Sequence, residues 1–168
     1  MKRLVKYKYG FTLIELLVVI AVIGIILGLS LIGLTGTKEA SRNARRKTDL
    51  ESMRASLELY KADKGVYPQK NNCVSSIGNC GSCPCSGSSW STSSYLYTGL
   101  VDESYMTGLP KDPLNTTNYY YDYVSVCNGE TSTVCGVSRS CPTGAANCCA
   151  YSLKGRLENG STYEVCSP

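Results

Sequence analysis

From Phe11 to Leu34 every position is apolar except Thr12, Glu15 and Ser30. As helix, those 24 residues would rise about 36 Å, enough to cross a hydrocarbon core of ~30 Å. After Leu34 the pattern becomes amphipathic rather than stopping. Leu50, Met53, Leu57 and Tyr60 recur at spacings of three, four and three, an apolar stripe, and Arg54, Glu58 and Lys61 read as the opposite face. Gly65 follows Lys64 as a C-cap, with Pro68 three residues beyond. The pattern therefore predicts one helix from about Thr12 to Lys64, about 80 Å long.

Beyond Gly65 the period changes. Tyr119 to Cys127 is β-prone and tyrosine-rich. Tyr151, Leu153 and Leu157 alternate with Ser152, Lys154 and Arg156, and Ser161 to Val165 follows Asn159-Gly160, a hairpin signal. The last two segments should form an antiparallel hairpin, with the first pairing nearby. Residues 128–148 read as a loop stapled between strands, and 69–94 as a disulfide-held connection. The predicted class is α+β: a long N-terminal helix packed on a small antiparallel sheet.

Charge narrows the partners. The net charge is +4, and Lys2, Arg3, Lys6 and Lys8 in the first ten residues account for all of it. From Phe11 onward the chain is balanced, so nucleic-acid binding through bulk charge is not expected. Arg42, Arg45, Arg46 and Lys47 form a local basic cluster. It either touches nucleic acid or anionic headgroups, or is a solvated or intersubunit ion-paired helix face; the second reading is preferred. There is no histidine, which removes His-based acid–base catalysis and His-ligated metals. No acid pair or activated nucleophile stands out, so no enzymatic activity and no cofactor are expected.

Glu15 does not suit a plain anchor, because a carboxylate inside a span is costly unless a cation reaches it. The apolar run also exceeds the ~7–15 residues of a secretory h-region and lacks an A-x-A-like site. Cleavage after Gly33 or Gly36 is the competing reading.

The segment Lys8-Tyr9-Gly10-Phe11-Thr12-Leu13-Ile14-Glu15-Leu16, with a basic leader before it and an apolar run after it, resembles the class III signal of type IV prepilins and type II secretion pseudopilins. The resemblance implies cleavage between Gly10 and Phe11 by a membrane-embedded prepilin peptidase, N-methylation of Phe11, and pairing of Glu15 with the N-terminal ammonium of a neighbouring subunit. It implies four parts: a leader at 1–10, a transmembrane and assembly half-helix at 11–34, an amphipathic half-helix at 35–64 and a disulfide-rich head at 65–168. Many family members carry a proline where this chain has Ile32, so no proline kink is expected. Gly24 and Gly28 form G-x-x-x-G in the span, read as close helix packing, as points of local helix melting in a filament, or as ordinary membrane-helix glycines.

Residues 65–168 hold ten tyrosines and ten cysteines but few aliphatic side chains, a thin core of the kind that disulfides staple. Cys73, Cys80, Cys83, Cys85, Cys127, Cys135, Cys141, Cys148, Cys149 and Cys166 are an even set, and the adjacent Cys148 and Cys149 should take different partners. A metal reading of Cys80, Cys83 and Cys85 needs a second pair, for which Cys148-Cys149 is the close candidate. Leu109-Pro110-Lys111-Asp112-Pro113 followed by Tyr119-Tyr120-Tyr121 is similar to the L-P-x-D-P segment of major pseudopilins. In those proteins a later acidic loop binds calcium. Here a cysteine-rich segment with few acids takes that place, leaving Asp112, Asn115 and Asp122 as weak candidates whose ordinary reading is turn formation.

The leading reading is a type IV pilus subunit that assembles as a homo-oligomeric helical filament. It would sit in the cytoplasmic membrane with its head outside, then move to a surface filament through an assembly platform and ATPase. A type II secretion pseudopilin is the family alternative. A signal-anchored, disulfide-rich binding ectodomain is the alternative outside the family.

Overall fold

A computed structural model describes residues 10–30, 34–69, 90, 92, 94–143 and 148–168. The chain divides into two units, Met1–Ala40 and Ser41–Pro168. The fold is α+β, a long N-terminal helical region followed by a small antiparallel sheet.

In the first unit, α1 spans Leu13–Ser30. Its apolar residues point outward all round: Leu13 is 83% exposed and Ile20 59%. A Cβ at Gly24 or Gly28 would meet nothing within 4 Å. Among the described residues no helix is long and apolar enough to cross a membrane. The 18 residues of α1 rise about 27 Å, and residues 31–33 of the expected span lie outside the described residues.

Helix α2 spans Leu34–Lys64 and is rich in Ala, Arg, Lys, Glu and Leu, all good helix formers. It ends at Gly65, whose φ of +78° is the left-handed cap the sequence anticipates, with its N–H on the Lys61 carbonyl at 2.7 Å. The stripe Leu50, Met53 and Leu57 is fully buried. It packs with Tyr121, Tyr123, Tyr151, Leu153 and Val165 of the sheet, and with Trp90, Leu96, Leu100 and Leu109 from the connection. That connection includes a short helical segment, α3 at Tyr95–Tyr97, continued by a π-helical turn at Thr98–Asp102.

The main sheet has strands β1 (Tyr121–Cys127), β4 (Cys148–Arg156) and β5 (Thr162–Cys166) in the order β1-β4-β5, all antiparallel. The β4–β5 hairpin turns at Asn159-Gly160, where Gly160 has φ +86°. Gly155 has no room for a side chain between α2 and β1: a Cβ there would sit 3.2 Å from Leu50 Cδ1 and from Tyr121 Cδ1.

Residues 128–143 hold more regular structure than the expected loop. They contain a second hairpin, β2 (Thr131–Val134) with β3 (Val137–Ser140). Cys135 (φ +48°) and Gly136 (φ +76°) make its two-residue turn, and both positive angles match the twist of the flanking strands. Three disulfides fix this arm. Cys127–Cys148 joins β1 to β4, Cys141–Cys149 joins the end of β3 to β4, and Cys135–Cys166 joins the hairpin turn to the end of β5. Cys148 and Cys149 thus take different partners, so they are not the second pair of a metal site. Cys73, Cys80, Cys83 and Cys85 lie outside the described residues, as does most of the 69–94 connection.

Candidate functional site: the helix start and the helix–head latch

Two side-chain clusters carry the functional argument, one in each unit. The first is the start of α1. Gly10 is exposed and Phe11 is 91% exposed. Thr12 caps the helix and Glu15 reaches back to it. The Thr12 N–H donates to Glu15 Oε2 at 2.8 Å, the Thr12 hydroxyl donates to the same oxygen at 2.7 Å, and the Glu15 N–H donates to Thr12 Oγ1 at 3.3 Å. This is a capping box, Thr-x-x-Glu, which satisfies donors that the first turn leaves open. The sequence presents Glu15 as a carboxylate awaiting a cation, but in the single chain it already has a local partner. That partner is exchangeable, because the box is fully exposed and involves only residues 12–15.

The second cluster lies in the second unit, where the buried stripe of α2 continues toward its N-terminus as Arg46 and Arg42, spaced by four from Leu50. Arg46 is completely buried. Its Nε donates to Asp112 Oδ2 at 2.6 Å and its Nη2 to Asp112 Oδ1 at 3.0 Å, a two-point guanidinium–carboxylate pair. Its Nη1 donates to Glu158 Oε1 at 2.9 Å and to Asn43 Oδ1 at 2.7 Å. Arg42 Nε donates to Glu158 Oε1 at 2.6 Å. Asp112 Oδ1 also accepts the N–H groups of Leu114 at 2.8 Å and Asn115 at 3.3 Å, which fixes its own turn. The Glu158 N–H donates to Asn43 Oδ1 at 3.1 Å.

One guanidinium therefore ties α2 to two otherwise separate loops, the Leu109–Pro113 segment and the β4–β5 turn. Burial works against the Arg46 charge, but its bonds to Asp112 and Glu158 outweigh that and hold it more firmly protonated. The Arg42 hydrogen bond, opposed by burial and aided by Arg46, pulls Glu158 from its ordinary 4.5 down to about 2. The basic cluster is thus neither a solvated face nor a nucleic-acid patch at Arg42 and Arg46. It is paired within the chain, because a buried guanidinium requires carboxylates.

A ladder of phenols extends the same contact. Tyr121 donates to Asp49 at 2.8 Å, Tyr163 to Glu51 at 3.0 Å, and Tyr67 and Tyr151 both to Glu58 Oε1 at 3.0 Å. Glu58, expected on the outer face, instead receives two phenols that need acceptors once their rings are buried. These pairs account for four of the head's ten tyrosines: each hydroxyl grips an acid on the helix, and Tyr67, Tyr121 and Tyr151 also bury their rings in the thin core.

Of the calcium candidates, Asp112 and Asp122 do not fit a cation. Both Asp112 oxygens face Arg46, and Asp122 pairs across strands with Lys154 while burial raises its pKa. Calcium takes 6–8 oxygens, usually several of them carboxylates. Residues 128–147 offer one acid, Glu130, which accepts the Cys127 N–H at 3.2 Å. Among the described residues the one candidate cluster is Cys135, Glu164 and Cys166, and its two sulfurs are bonded to each other.

Comparison with known proteins places the chain in a family. The prokaryotic N-terminal methylation motif matches residues 5–31, and the family described as type II secretion system (T2SS), protein G matches residues 33–138. The chain belongs to the protein G family. Its relatives include three proteins named type II secretion system core protein G. The Escherichia coli protein is 31% identical over 121 residues, covering 72% of this chain and 73% of that protein. The Vibrio cholerae protein is 37% identical over 68 residues, or 40% and 46% of the two chains. The Aeromonas hydrophila protein is 29% identical over 104 residues, or 62% and 66%. The chain thus spans about half the length of the second of these and two thirds of the third. No solved structure matches. The family match includes Arg42, Arg46 and Asp112, and the methylation motif includes Gly10, Phe11 and Glu15. Glu158 lies beyond both.

Proposed function

We propose that this chain is a structural subunit of a type II secretion pseudopilus. The observation that carries this reading is the protein G match over 33–138, joined to the methylation motif over 5–31. It favours the secretion pseudopilin over the type IV pilus subunit, the leading reading of the sequence, and agrees with the Leu109–Pro113 resemblance. On this reading prepilin peptidase cleaves after Gly10 and Phe11 becomes the N-methylated terminus. The apolar stretch 11–34 holds the chain in the cytoplasmic membrane with the head outside. An assembly platform and its ATPase then move it into a homo-oligomeric helical filament. The new ammonium lies four residues from Glu15, and the charge of a neighbouring copy's amine displaces the Thr12 cap in a low-dielectric bundle. The role is architectural.

Intact mass of native protein tests the first step. A chain beginning at Phe11 with one added methyl group is expected. A start at Met1, or after Gly33 or Gly36, would overturn the mechanism. Expression in a strain lacking its own core protein G, scored for secretion and for surface pili, separates pseudopilus from pilus. Glu15→Leu is expected to abolish secretion rescue while leaving the head folded.

A further inference from the structure

The arm made by β2 and β3 owes its position to sulfur. Its own polar strands bury little: Thr131, Thr133, Val137, Ser138 and Ser140 are all exposed, and only Val134 and Cys141 join Val126 and Ala150 in a small cluster. The three bridges are not equally placed. Cys127 (9% exposed), Cys148 (0%) and Cys141 (3%) are buried, while Cys149 is half-buried. Cys135 is exposed at the tip of the hairpin turn, and Cys166 is half-buried two residues from the end of the chain. Thiol–disulfide exchange requires a thiolate to reach a sulfur, so access ranks the bridges. The Glu164 carboxylate, 3.3 Å from Lys154 Nζ, lies within 4.8 Å of both Cys135 and Cys166 sulfurs. A negative charge there slows an incoming thiolate.

We propose that Cys135–Cys166 is the site at which an external dithiol protein exchanges with this head, and that its oxidation, rather than a bound divalent cation, decides whether the β2–β3 arm is docked. A thiolate of the dithiol attacks Cys135 Sγ to form a mixed disulfide, and Cys166 leaves as the thiolate. The partner's second thiol then attacks its own bridged sulfur and releases Cys135. The head gains two electrons and two protons, and the partner dithiol becomes a disulfide. Oxidative closure is the reverse. The Glu164 charge, offset in part by Lys154, slows every thiolate at this bond, the partner's included.

The test uses the full chain in detergent micelles. Graded dithiothreitol, a maleimide quench and peptide mapping give the order in which the bridges open, with Cys73, Cys80, Cys83 and Cys85 mapped separately. Cys135 and Cys166 are expected to label roughly tenfold faster than Cys127, Cys141, Cys148 and Cys149. Glu164→Gln is expected to speed that labelling by roughly twofold to tenfold. Hydrogen exchange at 131–140 is expected to rise in Cys135→Ser/Cys166→Ser and to ignore both calcium and chelator. Simultaneous labelling of all three bridges, or earlier opening of a buried one, would overturn the exchange site. Calcium protection of 131–140 would overturn the choice of oxidation over a cation. Graded reduction of the unaltered chain decides the first point even if the double variant does not fold.

Discussion

Helix α1 and the head treat apolar side chains in opposite ways. Along α1, Ile20, Ile23 and Ile26 are 59%, 48% and 58% exposed, while on α2 Leu50, Met53 and Leu57 are at 0%. The head supplies its own partners: a thin aliphatic core, phenols that reach acids on the helix, one buried guanidinium and covalent bridges. Among the described residues nothing covers these side chains of α1; on the proposed function, lipid and then other copies bury them. A chain built this way can be folded at one end and still be incomplete at the other, which suits the filament precursor proposed above.

The sharpest way to break this contrast is to remove one corner of the latch. Asp112→Ala leaves Arg46 buried without its two-point partner, and losing one member of a buried pair costs about 3–5 kcal/mol. Urea unfolding of the full chain in micelles should show that loss, and replacing Arg46 by Met in the same chain should restore much of it. If Asp112→Ala alone is neutral, the latch does not hold the loop.

A matched pair of truncations tests the contrast itself. Leu57→Ala should destabilise the head by about 2–5 kcal/mol, since it empties a filled site. Ile20→Ala should leave head unfolding unchanged and act only on membrane retention or assembly. Equal effects on head unfolding would mean that α1 is not an independent part. A smaller loss, about 1–3 kcal/mol, is expected for Gly155→Ala, because the new methyl meets Leu50 and Tyr121 at 3.2 Å.

The local features were legible in the sequence and the long-range ones were not. The stripe at Leu50, Met53 and Leu57, the cap at Gly65 and the turn at Asn159-Gly160 all follow from residues close together in the sequence. The three main strands sit within three residues of their expected bounds. The β2–β3 hairpin was missed because its strands are polar and Cys135 was counted only as a staple. Cys135-Gly136 between two β-prone segments was the available signal. Arg46 was missed for a different reason. The stripe was stopped where its residues ceased to be apolar, although position 46 continues the spacing, and only the fold brings Asp112 and Glu158 to it. The capping box was present in Thr12 and Glu15, but the resemblance to a filament family drew attention to a partner in another chain.

Acid sharpens the picture of the latch. Glu158 is held at about 2 in the folded head against an ordinary 4.5, with Arg42 the main cause. A depressed carboxyl contributes its full stabilisation above its unfolded value, and that contribution disappears as pH falls through the folded one, here between about 4.5 and 2. Asp49 and Asp122 are shifted the other way, upward, by burial; Tyr121 and Arg45 pull Asp49 down in part, as Lys154 does for Asp122. Their protonation favours the folded head as pH falls, so mild acid should cost little. The steep loss should come only below pH 4.5. Glu158→Gln should lower stability at pH 7 and flatten the drop between pH 4.5 and 2.5, read from urea midpoints at the three pH values. An unchanged slope in Glu158→Gln would place the acid sensitivity of the head elsewhere.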